Sequence, residues 1–480
     1  MTLGIAEAPA ISKNGLDPHR LFPADPSSRS LAHALYETVK DLPIVSPHGH
    51  TDPRWYAENE AFPDPAQLFI VPDHYVFRML FSQGIDLTEL GVPRIDGGWT
   101  ETDSRKIWRT FAENFHLFRA TPSRMWLEHS FQEVFGWTRR ISAETADEAY
   151  DHIADCLTRP EFRPRALFER FNIEVIATTE SPLDELKWHR QIRDSDWTGR
   201  VVTAYRPDSV VDPEFEGFQA NVETLGELTG ENATSWQGYL NAHRVRRAYF
   251  KSFGATSSDH GHATARTENL PEAKADELFQ KALKGSCTPE EADAFRGHML
   301  TEMARMSIED GLVLQIHPGS YRNHSKTVMN AFGRDKGFDI PTQTNYVTAL
   351  KPLLDAVGVE KGLSIILFTL DETAYSRELA PLAGVYPVLK LGPAWWFYDS
   401  PEGMRRFREM TTETAGFYNT VGFNDDTRAF CSIPARHDVA RRVDCAYLAS
   451  LVTSGRLDED EAYEVAHDLT YRLVKQAYRL

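Results

Sequence analysis

The sequence of 480 residues predicts an α/β fold, a distorted (β/α)8 barrel of the TIM type. Three observations lead there. Short β-rich apolar runs recur eight times, each closing in a polar residue or a glycine. Most are apolar nearly throughout, the pattern of parallel strands buried on both faces. Amphipathic helical stretches separate several of them, as strand–helix alternation requires.

The first run is "LPIVSPH" (42–48). It is followed by an aromatic-rich helical region, 52–170, in which "KIWRTFAENFHLF" and "RMWLEHSFQEVFG" place apolar residues three and four apart. Runs two and three, "IEVIATT" (173–179) and "RVVTAYR" (200–206), flank the helical "SPLDELKWHRQIRD". Run four is read as "AYFKSFG" (248–254), with a second insertion over 255–311. Run five is "LVLQIH" (312–317). Run six, "SIILFTL" (364–370), follows the amphipathic "TQTNYVTALKPLLDAVG", and "VYPVLKLG" (385–392) and "VGFND" (421–425) complete the set. Residues 1–480 are thus expected to form a single barrel domain. The two long stretches, 52–170 after strand 1 and 255–311 after strand 4, are read as insertions on the active-site face.

Composition narrows the partners. With 52 Lys and Arg against 70 Asp and Glu, the net charge of −18 argues against nucleic acid or an anionic membrane. An anionic substrate would therefore need a local arginine cluster. No stretch of 18 apolar residues is uninterrupted, so no membrane-spanning helix is expected. The segment "MTLGIAEAPAISKNG" lacks the basic and apolar regions of a secretory signal. Four cysteines without CxxC spacing suit free thiols in a reducing cytoplasm. No glycine-rich phosphate loop adjoins a strand, which points to an unphosphorylated small-molecule substrate. The aromatic-rich region offers apolar surface for a homo-oligomer.

The strand ends bear the chemistry, because a barrel gathers its C-terminal strand ends around one mouth. Run one closes in His48 and His50, two residues apart and so on one face of an extended chain. Run three closes in Arg206, run five in His317, and run eight continues as "NDDTRAF". Two histidines from the first strand, a third from the fifth and an acid from the eighth make a plausible mononuclear metal set.

These pieces resemble, in order and over about 20–475, the uronate isomerases (glucuronate/galacturonate isomerase), a branch of the amidohydrolase superfamily. "HGH" (48–50) is similar to the family's HxH. "DHYVFRML" (73–80) supplies its adjacent His74 and Tyr75, and "AYRPD" (204–208) and "SDHG" (258–261) match two strand-end turns. "QIHPGSYRNHS" (315–325), "GPAWWFYDSPEGM" (392–404), "DDTRAF" (425–430) and "ARHDVARR" (435–442) follow. Departures are Ser46 and Pro47 where a carboxylate often stands, and Thr427 in place of Ser.

The resemblance implies aldose–ketose isomerisation of D-glucuronate to D-fructuronate, and of D-galacturonate to D-tagaturonate, through an enediol. It implies one Zn²⁺ per chain on His48, His50 and Asp426. Tyr75, Asp426 and His74 become the catalytic candidates. Arg206, Arg428, His317, Trp396 and Arg322 become substrate-binding candidates, with the two arginines of the strand ends, Arg206 and Arg428, set against the carboxylate. The alternative is a mononuclear or binuclear metal-dependent hydrolase or deaminase on the same barrel. Lys251, inside run four, would be the bridging lysine of a binuclear centre. Plainer readings stand beside these: Arg428 pairs with Asp425, Tyr75 only packs at a helix start, and His260 and His262 lie exposed in a polar loop.

Overall fold

The computed structural model describes residues 15–480. The segment 1–14, most of the stretch read above for a secretory signal, lies outside the described residues. Among the described residues nine strands occur in chain order: β1 (Ile44–Ser46), β2 (Ile173–Glu180), β3 (Arg200–Tyr205), β4 (Ser257–His260), β5 (Val313–Ile316), β6 (Ser320–Tyr321), β7 (Ile340–Pro341), β8 (Ile365–Leu367) and β9 (Leu389–Leu391). Seven of them make one parallel sheet in the order β1-β2-β3-β4-β5-β8-β9, while β6 and β7 pair antiparallel as a separate ribbon. This is the distorted barrel that the apolar runs predict.

Two of the runs behave differently from expectation. Run four is not a strand: Ala248–Lys251 ends the helix Trp236–Lys251, and Phe250 is buried in the core. The strand itself is the polar "SSDH" at 257–260, fully buried along its length. Apolar periodicity could not find it, because its side chains are polar and buried beside other polar groups. Gln315 of β5, for instance, donates to Ser257 Oγ at 3.1 Å.

Run eight occupies the eighth barrel position without becoming a ladder. Leu391 forms a single parallel bridge with Thr420, and the His50 N–H donates to the Thr427 carbonyl at 3.1 Å. Segment 420–427 therefore closes the gap between β9 and β1. Gly422 explains the missing ladder: its φ is +76°, and a Cβ there would lie 2.5 Å from the Leu469 carbonyl oxygen.

Val45, Val175, Ala177, Val202, Val313 and Ile366 pack together with Val474 and Tyr478 of the last helix, Leu473–Tyr478. Arg479 then ties that helix to the carbonyls of Gly311 and Gly362, at the N-terminal ends of β5 and β8. The chain thus stoppers the end of the barrel opposite its working mouth. Between β1 and β2 lies a run of helices around an aromatic cluster of Trp108, Phe111, Phe115, Phe118 and Phe131, all buried. Among them the helix His74–Phe81 begins where it does because Asp73 caps it, its carboxylate accepting from the Tyr75 N–H at 2.8 Å. That cap fixes the first turn, and with it His74 and Tyr75. The four cysteines are free, and no helix among the described residues is long and apolar enough to cross a membrane.

The end of β2 buries an acid, Glu180, beside an imidazole, His189 Nε2 at 3.8 Å, that burial pushes down to about 4 and so leaves uncharged at neutral pH. Burial raises Glu180 to about 8, opposed by hydrogen bonds from Thr203 and Thr178. The folded chain therefore holds this proton where the unfolded chain releases it, so stability falls as pH rises from the ordinary carboxyl range to about 8. The expected outcome for Glu180→Gln is an unfolding midpoint near wild type at pH 5 and above it at about pH 8.5. Parallel pH curves for the two proteins would exclude Glu180 as the source.

Candidate active site

One cleft at the C-terminal ends of the strands is lined by His48, His50, His74, Tyr75, Arg206, His317, Arg322, Trp396, Asp426 and Arg428. Every site residue named from the sequence therefore reaches the same cavity. The barrel supplies most of them. His74 and Tyr75 come from the capped helix between β1 and β2. Arg322 comes from the segment between β6 and β7.

His48, His50 and Asp426 converge. Their ligand atoms all lie within 4.8 Å of one another, with His50 Nε2 at 3.2 Å and His48 Nε2 at 3.5 Å from Asp426 Oδ1. Two ligands about 2.1 Å from a tetrahedral zinc stand about 3.4 Å apart, so these separations fit one ion. Asp426 Oδ1 is also buried with no hydrogen-bond partner, whereas Oδ2 accepts from the Trp395 indole N–H. The orphaned oxygen faces the two imidazoles, and the three groups could hold a divalent metal.

Burial acts to raise the Asp426 carboxyl, but His48, His50 and the Trp395 N–H override it and hold the group well below the usual carboxylate range. Its backbone is strained, with φ at +37°, and Trp396 across the cleft has φ at +51°. Non-glycine residues adopt that region at a cost of order 1–3 kcal/mol, and such strain gathers at functional sites.

His317 departs from the four-ligand set considered above. Its Nε2 lies 2.9 Å from Asp259 Oδ1, away from the converging trio. Asp259 is fully buried on β4 and also lies 3.3 Å from Arg206 Nη1. Burial opposes its charge, and His317, His48 and Arg206 together hold it ionised. Asp259 lies in the "SDHG" turn and has no part in the site expected from the sequence; its one signal there is an acid in a strand otherwise too polar to recognise. His260 and His262 of the same turn are 0% and 5% exposed, which corrects the expectation of a solvent-exposed pair.

The two strand-end arginines differ. Arg206 is already engaged, its Nε donating to Asp208 at 2.9 Å beside the Asp259 contact. Arg428 has no acid within ion-pair distance among the described residues. The expected alternative partner, Asp425, instead takes a hydrogen bond with His437 Nε2 at 2.9 Å. Arg322 Nη1 lies 3.4 Å from Asp339 and stacks its guanidinium 5.2 Å from the Trp396 ring centroid.

Tyr75 and His74 stack on each other, ring centroids 4.6 Å apart. Burial lifts the Tyr75 hydroxyl above the ordinary tyrosine range, with Arg436 pulling the other way. Burial, then the charges of Arg428, Arg78 and Arg436, push His74 well below the usual imidazole value, so its ring is neutral. Gly337, at φ +73°, brings the 333–339 loop over this pair; a Cβ there would sit 2.7 Å from that of His74. Lys251, the residue a binuclear centre would need, is at the end of a helix with its ammonium on the Asp310 carbonyl, just before the N-terminal end of β5 and so opposite the C-terminal strand ends that line the cleft.

Comparison with known proteins agrees with this geometry. A family model described as glucuronate isomerase matches residues 27–478. A uronate isomerase of Rhizobium meliloti is 69% identical over 97% of this chain and 99% of its own length. The crystal structure of glucuronate isomerase from Caulobacter crescentus superposes with a TM-score of 0.95 at 60% identity, covering 97% of each chain. That of uronate isomerase from Thermotoga maritima gives 0.90 at 27% identity, over 97% of this chain and 99% of that one. With ordered motifs, a common cleft and a full-length match in agreement, the chain belongs to the glucuronate isomerase family.

Proposed function

We propose that this chain interconverts aldose and ketose hexuronates, D-glucuronate with D-fructuronate and D-galacturonate with D-tagaturonate, through a cis-enediolate. The observation that supports it most is one cleft holding an ionised acid, a protonated phenol and an unpaired arginine. Isomerisation moves the carbon-bound proton from C2 to C1 and the hydroxyl proton in the same sense, from O2 to O1. Such a step needs a base, an acid and a counter-charge for the developing oxyanion.

Asp426, held ionised among two imidazoles and an indole N–H, is suited to accept a carbon-bound proton and return it. Tyr75, held protonated by burial, is suited to donate to the substrate oxygen and take the proton back. Neutral His74 offers one donor and one acceptor to the sugar hydroxyls. Arg428, without an acidic partner among the described residues, is the cation for the substrate carboxylate, with its forked donors matching that group. Arg206 is held by two acids and orders the Asp259–His317 pair beside it. His48, His50 and Asp426 would hold one Zn²⁺, which as a Lewis acid polarises a substrate oxygen when bound. A binuclear hydrolase lacks its bridging lysine here. We infer a cytoplasmic enzyme from the four free thiols.

Proton NMR of the protein with either sugar acid in D2O tests the reading. Ketose-acid signals should grow as the anomeric proton declines, with deuterium entering C1; no change with either acid refutes it. Arg428→Met should raise KM at least ~10-fold with a smaller loss in kcat, as expected when uniform binding is removed. Asp426→Asn should lower kcat by ~10³-fold or more, the scale of a lost acid–base group together with its charge. Titration with Zn²⁺ should saturate at one ion per chain, and His48→Ala should weaken that binding; a second tight ion would favour the hydrolase.

A further inference from the structure

The residues outside the cleft include one buried cation that bridges the segments carrying Tyr75 and Asp426. Arg436, in the first turn of the helix Ile433–Thr453, is 1% exposed. Its Nε donates to Ser432 Oγ at 3.1 Å, and its Nη1 donates to Asp399 Oδ2 and, at 3.4 Å, to the Asp425 carbonyl. The guanidinium carbon lies 3.6 Å from the Trp126 ring centroid and 5.3 Å from that of Tyr75. Tyr75 and Trp126 meet edge to face at 5.6 Å and 87°, with this cation against both rings.

These contacts have a common consequence. Tyr75 and Trp126 belong to helices between β1 and β2, whereas Asp399 and Asp425 belong to the loops after β9, remote in sequence although the closed barrel brings them beside β1. Asp425 is one peptide from Asp426, so its carbonyl fixes the turn that aims the acid. The next residue on the same helix, His437, holds the Asp425 side chain at 2.9 Å. A buried ion pair such as Arg436–Asp399 contributes little net stability compared with apolar packing of the same volume. Its geometry is better explained by placement than by stabilisation.

We propose that Arg436 is a positioning residue that sets the separation and orientation of Tyr75 relative to Asp426. It touches neither substrate nor metal ligand side chain, and acts by clamping the Tyr75 ring on one side and the Asp425 carbonyl on the other. Lysine keeps the charge but cannot reach Ser432, Asp399 and Asp425 together from one planar fork. The inference rests on the isomerase reading above.

The test is steady-state kinetics of Arg436→Lys and of Arg436→Met/Asp399→Asn, which replaces the ion pair by neutral groups so that no unpaired acid is buried. Thermal unfolding and Zn²⁺ titration accompany both. A displacement near 1 Å costs on the order of 100-fold in rate. The expected result is kcat down ~10-fold or more for the lysine variant and ~100-fold for the double variant, with KM and Zn²⁺ stoichiometry within threefold of wild type. A kcat within threefold of wild type in Arg436→Lys overturns the proposal, whatever the unfolding midpoint does. So does a rise in KM with kcat retained, which would make Arg436 a binding element. Wild-type protein that fails to turn over any hexuronate sinks the isomerase reading instead, and is distinguished by that control.

Discussion

Carboxylates buried at the mouth of a parallel barrel must be compensated, and this constraint organises the rest of the molecule. An isolated buried charge costs far more than a single fold can supply, so each acid must find a cation or a hydrogen-bond donor. Asp426 has His48, His50 and Trp395; Asp259 has His317 and Arg206; Asp425 has His437; Asp399 has Arg436. Most of these pairings join segments distant in sequence. Asp426 requires the eighth segment to lie beside β1, and the Asp399–Arg436 pair fixes the loop after β9 against the helix Ile433–Thr453. The polar network at one end and the apolar plug of Val474 and Tyr478 at the other leave the barrel little freedom in between.

The same constraint accounts for what was legible in the sequence. Apolar runs reported β1, β2, β3, β5, β8 and β9, because there burial on both faces is by hydrocarbon. They misplaced β4, whose residues are Ser257, Ser258, Asp259 and His260, since polar side chains buried against polar partners leave no periodic trace. The functional residues at strand ends were readable because metal-binding and acid–base chemistry needs particular side chains. Asp259 and Arg436 were not singled out, because a residue that orders another has no chemical signature of its own. Only three-dimensional contact identifies it. The β6–β7 ribbon was hidden for another reason: two residues a strand is too short for any pattern.

Global and local electrostatics oppose each other here. A protein of net charge −18 repels an anionic sugar acid at a distance, and that repulsion is screened beyond about 8 Å at physiological salt. Inside the cleft the sign is reversed by Arg206, Arg322 and Arg428, but not uniformly. Two of the three already face acids, so their charge serves the protein's own carboxylates. Arg428, unpaired among the described residues, is also two residues beyond the strained acid, so the roles proposed above would put carboxylate recognition and proton transfer on the same rigid turn. Recognition of the charged end of the substrate and presentation of its reacting carbons then share a single reference frame.

Acid and base are assigned by their neighbours rather than by their depth. Burial pushes both Tyr75 and Asp426 toward their protonated forms. Around Asp426, two imidazoles and an indole N–H outweigh that push, and the carboxylate stays ionised. Around Tyr75, Arg436 opposes burial without overcoming it, and the hydroxyl keeps its proton. Two groups in one cleft are thus driven in opposite directions, the condition for a proton to leave carbon at one and reach oxygen from the other. Strain at Asp426, the cap at Asp73 and the clamp at Arg436 then serve a single geometric end. They hold the proposed base of the eighth segment and the proposed acid of a helix after β1 at a fixed spacing that neither element could set alone.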